Sequence, residues 1–209
     1  AGPADEAGHA RAVWTLGTQA GTQEATARVP GVASLTFGAS ALPGPLARVS
    51  VRAPSLLLAA LDDTVRLSAA TTDTYGNIVP AGAVAWSSLN SAIVNVDPDG
   101  LVRAVANGEA RIVAAVDEVR DTAVVRVAQQ VATIGVSPRV DTLNAIGDTL
   151  ALSATPMDRN GFGIEAVRVS WSSLDTAVVA VDSLGRAVAR GVGTARVRAG
   201  AGAAADTIR

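Results

Sequence analysis

Apolar residues recur at every second position in short runs along most of the chain. Val49 and Val51 share a face, as do Val65, Leu67 and Ala69, then Val84 and Trp86. The alternation continues through Ala92, Val94 and Val96, Leu101 to Val105, Ala110, Ile112 and Ala114, and Val125 with Val127. Period two is the signature of strands buried on one face. Turn-forming residues separate the runs: Asp62-Asp63, Tyr75-Gly76-Asn77, Asn90-Ser91, Asp97-Pro98-Asp99-Gly100, Asn107-Gly108 and Asp117-Glu118. Seven short strands broken in this way predict a two-sheet antiparallel sandwich.

The pattern then repeats. WSSLNSAIVNVDPDG, from Trp86, returns as WSSLDTAVVAVDSLG from Trp171, a shift of 85 residues that holds without a gap from Val49/Ile134 to Thr122/Thr207. Inward positions keep their character, with Ala110, Ile112 and Ala114 matching Ala195, Val197 and Ala199. Outward positions drift: Val113 stands opposite Arg198, and Asn95 opposite Ala180. Gly76/Gly161, Gly100/Gly185 and Gly108/Gly193 coincide, as expected where turns require positive φ. A period this long marks tandem domains rather than a solenoid. The expected organisation is a partial β domain over 1–45 and two sandwiches over 46–128 and 129–209. The last strand of the second is cut short, because Asp206-Thr207 align with Asp121-Thr122 and the first copy runs on through Val124 to Val127. Pro43-Gly44-Pro45 and Ala128-Gln129-Gln130 mark the boundaries, and connections this short favour semi-rigid joints.

The run from Val84 to Ala114 combines a Trp-Ser-Ser opening, a Val-x-Val strand, an Asp-x-x-Gly turn and a Gly-x-Ala-x-Ile strand. It resembles the bacterial Ig-like group 2 domain, and Val169 to Ala199 resembles it equally. The first 45 residues contain strand-like runs at about 10–16, 22–29 and 33–41, with Trp14-Thr15-Leu16-Gly17 and Ala20-Gly21 among them. They resemble the C-terminal half of an invasin-type, group 1 bacterial Ig-like domain. The resemblance implies an all-β chain of tandem immunoglobulin-like sandwiches from bacterial surface, adhesin or phage-tail proteins, and transfers no catalytic residue.

Composition narrows the chemistry. The 49% hydrophobic content includes only 3% aromatics, so Val, Leu, Ile and Ala must fill the cores. All 17 basic residues are Arg, and scattered ones such as Arg196 and Arg198 alternate with apolar residues as on the solvent face of a strand. With a net charge of −2, the chain offers no electrostatic footprint for nucleic acid. No apolar run approaches the roughly 20 residues that span a bilayer. Cysteine is absent, which removes disulfides, thiolate nucleophiles and Cys-based zinc sites together. The opening residues contain no hydrophobic signal segment.

Candidate chemistry is sparse. His9 is the single histidine and reads as an exposed turn residue rather than the base of a triad. Asp97 and Asp99 have the spacing of a Ca²⁺-binding turn, but the second copy reads Asp182-Ser183-Leu184-Gly185 and keeps one acid, which favours a plain hairpin turn. Asp62, Asp63 and Asp73 read as turn aspartates that cap their own backbone. Trp86 and Trp171 share a face with Val84 and Val169 and read as core pins rather than sugar platforms. No catalytic residue, cofactor or tightly held metal is expected.

The function expected is that of a non-enzymatic structural or adhesion module in a bacterial extracellular surface protein or filament, acting as a rigid spacer and contact surface. Its partners would be the rest of a longer tandem-domain polypeptide or neighbouring copies of itself. The alternatives are a module that binds a host protein or glycan, and an accessory domain of a larger secreted enzyme.

Overall fold

The computed structural model describes residues 5–53, 55–80 and 82–209, and the first four residues of the expected 1–45 domain lie outside them. Every regular element among the described residues is a strand, so the chain is all-β. The N-terminal segment forms one antiparallel hairpin, β1 (Gly21–Ala27) with β2 (Leu35–Ala41), in register from Gly21↔Ala41 to Ala27↔Leu35. The first repeat copy contains β3 (Arg48–Arg52), β4 (Ser55–Leu58), β5 (Thr64–Arg66), β6 (Ser68–Thr72), β7 (Ala85–Ser88), β8 (Val94–Val96), β9 (Leu101–Ala104), β10 (Gly108–Val116) and β11 (Val119–Val127). The second contains β12 (Thr133–Ser137), β13 (Thr149–Ala151), β14 (Ser153–Met157), β15 (Ser170–Ser173), β16 (Val179–Val181), β17 (Arg186–Ala189), β18 (Val197–Ala201) and β19 (Ala204–Ile208).

Strand order follows the repeat. In the first copy the sheets are β3-β6, β5-β9-β8 and β4-β11-β10-β7. In the second copy the counterparts are β12-β14 and β13-β17-β16, then β15-β18-β19. These pairings in multiple sheets accord with an immunoglobulin-like fold, with one further strand, β4, at the edge of its sheet in the first copy.

Two compact units divide the chain. One comprises the residues up to Arg52 with Ser68–Ala85 and Ala114–Asp121, and its buried apolar residues include Val49, Val51, Ala114 and Val116. The other comprises Ala53–Leu67, Trp86–Val113 and Thr122–Arg209. In it, Val94, Val102, Ala104, Ile112 and Val125 of the first copy have no exposed surface. A second cluster there is built on Ile134, Val136, Leu152, Val197, Ala199 and Ile208. Small and β-branched side chains fill these cores in alternate positions, as a chain poor in aromatics requires.

Two strand expectations differ from the structure. The alternating run at 10–16 forms no strand, and Val13 is almost fully exposed. Alternation supplies a face, but a strand also needs a neighbour for its backbone groups. Conversely, Ser55–Leu58 is a strand without alternation. Its order comes from parallel pairing with Val124–Val127, Ser55↔Val124 through Leu58↔Val127. Within this sequence those four residues have only Arg209 as a counterpart, and 140–143, the counterpart of β4, is not a strand.

Candidate functional sites: the paired aspartate turns

Each copy contains an Asp-x-x-Gly turn after its second long strand: Asp73-Thr74-Tyr75-Gly76-Asn77 and Asp158-Arg159-Asn160-Gly161-Phe162. The two are built alike. Asp73 N donates to Asn77 O at 3.0 Å, and Asp158 N to Phe162 O at 2.9 Å. Gly76 and Gly161 both have φ of 85°, which an L side chain resists. One carboxylate oxygen closes the loop in each case. Asp73 Oδ1 accepts the Tyr75 and Asn77 amides at 2.8 and 2.9 Å, and Asp158 Oδ1 accepts the Asn160 and Phe162 amides at 3.0 Å.

The other oxygen reaches away from the turn. Asp73 Oδ2 accepts Gly44 N at 2.9 Å and Asn77 Nδ2 at 2.7 Å. The Asn77 amide extends the contact, donating to Thr18 O and accepting Ala20 N, both at 2.8 Å. Asp158 Oδ2 accepts Gln129 Nε2 and Leu61 N, both at 2.9 Å. Gly44 and Gln129 are equivalent across the 85-residue shift, so each aspartate holds the boundary segment that leads into its own copy.

The contact at Leu61 joins the second turn to the first copy. Asp63 Oδ2 caps the Ala59 and Ala60 amides at 3.1 and 3.0 Å. Its Oδ1 accepts Arg159 Nε at 3.0 Å and Asn160 Nδ2 at 3.1 Å, with Arg159 Nη2 at 2.6 Å. Asn160 Nδ2 also donates to Leu61 O at 2.6 Å. Gln129 N donates to Asn107 Oδ1 and Asn107 Nδ2 to Gln129 Oε1, at 2.8 and 2.7 Å.

Three aspartates are thus buried, Asp63, Asp73 and Asp158, and each is supplied with donors. The Asn77 hydrogen bond, followed by the Gly44, Asn77 and Tyr75 amides and opposed by burial, lowers the Asp73 carboxyl to a pKa of about 2. Burial pushes Asp158 up, but the bonds from Gln129, Leu61, Phe162 and Asn160 outweigh it, so its carboxyl lies below the usual carboxylate range. At Asp63 burial is likewise outweighed by Arg159, Ala60 and Asn160. Carboxylates satisfied in this way stay ionised and bind backbone; they are not poised to exchange protons.

The other residues singled out in the sequence lie elsewhere. Trp86 on β7 and Trp171 on β15 are both half-buried, and Trp171 packs against the Ile134–Val136 cluster. Each indole lies over the glycine of a hairpin turn. A Cβ at Gly100 would come within 3.0 Å of Trp86 Nε1, and one at Gly185 within 2.9 Å of Trp171 Cε2. Asp97 Oδ1 accepts the Asp99 and Leu101 amides at 2.9 and 2.8 Å, and Asp182 Oδ1 does the same for Leu184 and Arg186 at 2.9 Å. Arg66 Nη1 donates to the Asp99 carbonyl at 2.7 Å. His9 is exposed, with its Nδ1 3.6 Å from Asp5 Oδ2. Among the described residues no group of three or more His, Cys, Asp or Glu is placed to hold a metal ion, and no helix is long and apolar enough to cross a membrane.

Asp63 and Asp73, expected to cap only their own backbone, also bind other segments, as do Asn77, expected as a turn residue, and Gln129, expected as a boundary residue; Asp158, Arg159 and Asn160 carried no expectation. Retention of the Asp-x-x-Gly turn in both copies was a signal for the local loop. Nothing in the pattern signalled the second oxygen's partners.

Residues 47–127 match the bacterial Ig-like domain (group 2) family model. No curated protein matches the chain. Among solved structures, domains 4 and 5 of the S-layer protein SbsC are similar at 19% identity, over 79% of this chain and 97% of that one, with a TM-score of 0.37. SbsC domains 1–6 are similar at 17% identity over 98% of this chain, which spans 36% of that structure, again with a TM-score of 0.37. Human protocadherin-24 EC1-2 is similar at 12% identity over 73% of this chain and 87% of that one, with a TM-score of 0.37. At these identities and scores the fold assignment rests on strand order and the 47–127 match.

Proposed function

We propose that this chain is a non-enzymatic structural or adhesion segment of a bacterial extracellular surface protein. In this reading 46–128 and 129–209 are two group 2 Ig-like modules with the last strand of the second cut short, and 1–45 is a partial Ig-like domain. The observation that carries it is the Asp158 turn. Asp158, Arg159 and Asn160 spend a buried carboxylate, an ion pair and an amide on Leu61 and Asp63, which fixes one module against the next. A spacer must resist bending at its joints, and a satisfied buried polar network supplies that resistance. The exposed apolar side chains of the N-terminal segment, Val29, Val32, Leu35 and Phe37, support a role in contact with further protein.

The test is antibody labelling of the producing bacterium, intact and after lysis, with serum raised against this chain. Labelling of intact cells is expected; labelling only after lysis would overturn the reading.

A further inference from the structure

The turn that receives Asp158 exists twice. In the first copy Asp62 N donates to Ala104 O, Asp63 N to Ala60 O and Ala104 N to Asp63 O, at 3.0, 3.4 and 2.9 Å. In the second, Gly147 N donates to Ala189 O, Asp148 N to Ala145 O and Ala189 N to Asp148 O, at 2.9, 3.1 and 2.9 Å. Asp148 Oδ2 caps the Asn144 and Ala145 amides at 3.0 and 2.9 Å, as Asp63 caps Ala59 and Ala60. The backbone bonds and the aspartate caps of the socket are therefore reproduced, while the Asp62–Arg103 pair is not, since Gly147 and Val188 stand in their places.

Its occupancy is not. The Leu61 amide is taken by Asp158 and Asp63 Oδ1 by Arg159 and Asn160. Their counterparts, the Ile146 amide and Asp148 Oδ1, have no hydrogen-bond partner among the described residues. Ile146 is 69% exposed, whereas Leu61 is half-buried and Asp63 is 5% exposed.

We infer that the turn Asn144–Asp148 is a docking socket for an Asp-Arg-Asn-Gly turn of another copy of this repeat. The partner's carboxylate would accept the Ile146 amide, and its Arg and Asn would donate to Asp148 Oδ1. The turn at Asp73–Asn77 is no such partner, since it has Thr74 and Tyr75 in place of Arg and Asn and is already spent on Gly44, Thr18 and Ala20. The Asp158 turn is spent on Leu61 and Asp63, so a further copy must supply the occupant. One element of the occupied joint is missing: Val192 stands where Asn107 holds Gln129. The free socket should therefore bind through the turn alone.

The inference rests on reading the repeat as tandem modules, and the experiment separates the two. Residues 125–209 are appended after Arg209, which continues the 85-residue register and adds one Asp-Arg-Asn-Gly turn. Amide hydrogen exchange at Ile146 should slow about ten-fold or more, and return to its original rate when the added turn's aspartate is replaced by Ala or when Asp148→Ala is introduced. An unchanged Ile146 beside a protected Leu61 overturns the socket and leaves the module reading standing; loss of protection at both overturns the module reading. Should the added copy not fold, a cyclic peptide of Pro156–Ile164 at millimolar concentration replaces it. Amide shifts at Ile146 and Asp148 are then expected, and their absence overturns the socket.

Discussion

Asp158 accepts the amide proton of Leu61 at 2.9 Å across 97 residues of chain, while its other oxygen closes its own turn. One carboxylate therefore does two jobs, a local one that any turn aspartate can do and a distant one that needs Leu61 of the first repeat copy. Removing it leaves the Leu61, Asn160 and Phe162 amides without an acceptor and Gln129 Nε2 with only the Gly163 carbonyl at 3.4 Å.

Asp158→Ala should destabilise the chain by about 1–3 kcal/mol, the cost of orphaning buried donors. Arg159→Ala should cost less than about 1 kcal/mol, because its side chain is 63% exposed and Asp63 keeps its two backbone caps. Urea unfolding of both variants checks the order. Equal losses would show that the ion pair, not the carboxylate, holds the joint.

Acid should act through Asp73. Its folded carboxyl has a pKa of about 2, whereas an unfolded aspartate titrates near ~3.9. The unfolded chain therefore takes up the proton first, so the stabilisation is complete above about pH 4 and is lost as the pH falls toward 2. Asp63 and Asp158, lowered in the same direction, add to the same acid-side loss. A carboxyl titration followed by NMR should place Asp73 well below the other aspartates; a midpoint near 4 would refute the network of Asn77 and Gly44 around it.

The hairpin glycines under the tryptophans should be the least replaceable. A Cβ at Gly185 would lie 2.7 Å from Leu152 O and 2.9 Å from Trp171 Cε2, at a φ of 84°. Gly161 has nearly the same φ of 85° but open space around it. Gly161→Ala should therefore cost only the left-handed backbone term, roughly 1–2 kcal/mol, and Gly185→Ala clearly more. Thermal melts of the pair decide this, and equal shifts would remove the steric argument.

Much of the fold was legible because two physical signals reinforced each other. Period two located the strands, and the 85-residue shift showed which alternations were kept by burial: Ile112 and Val197 stayed apolar while Val113 and Arg198 diverged. β4 was not legible, since Ser-Leu-Leu-Leu has no alternation and owes its strand to residues nearly 70 positions away. The 10–16 run shows the converse, a proper alternation without a ladder partner. The joint was hidden for a related reason. Asp73 and Asp158 satisfy a local turn rule completely with one oxygen, so the sequence contains no residue left unexplained to point toward Gly44 or Leu61.

The Asp97 turn distinguishes a structural carboxylate from a Ca²⁺ ligand. Asp97 Oδ1 is committed to the Asp99 and Leu101 amides, and Asp182 repeats the arrangement where the second acid is absent. A turn built for Ca²⁺ would gather further oxygen ligands, six to eight in all, whereas Asp99 is exposed and its carbonyl is bonded to Arg66. Asp97→Asn keeps a side-chain acceptor and should leave stability nearly unchanged, while Asp97→Ala should cost about 1 kcal/mol, as for loss of a capping acceptor. Calorimetric titration with Ca²⁺ should show no stoichiometric binding at micromolar concentrations, for the parent chain or for Asp97→Asn. Micromolar binding by the parent that Asp97→Asn abolishes would make the turn a metal site.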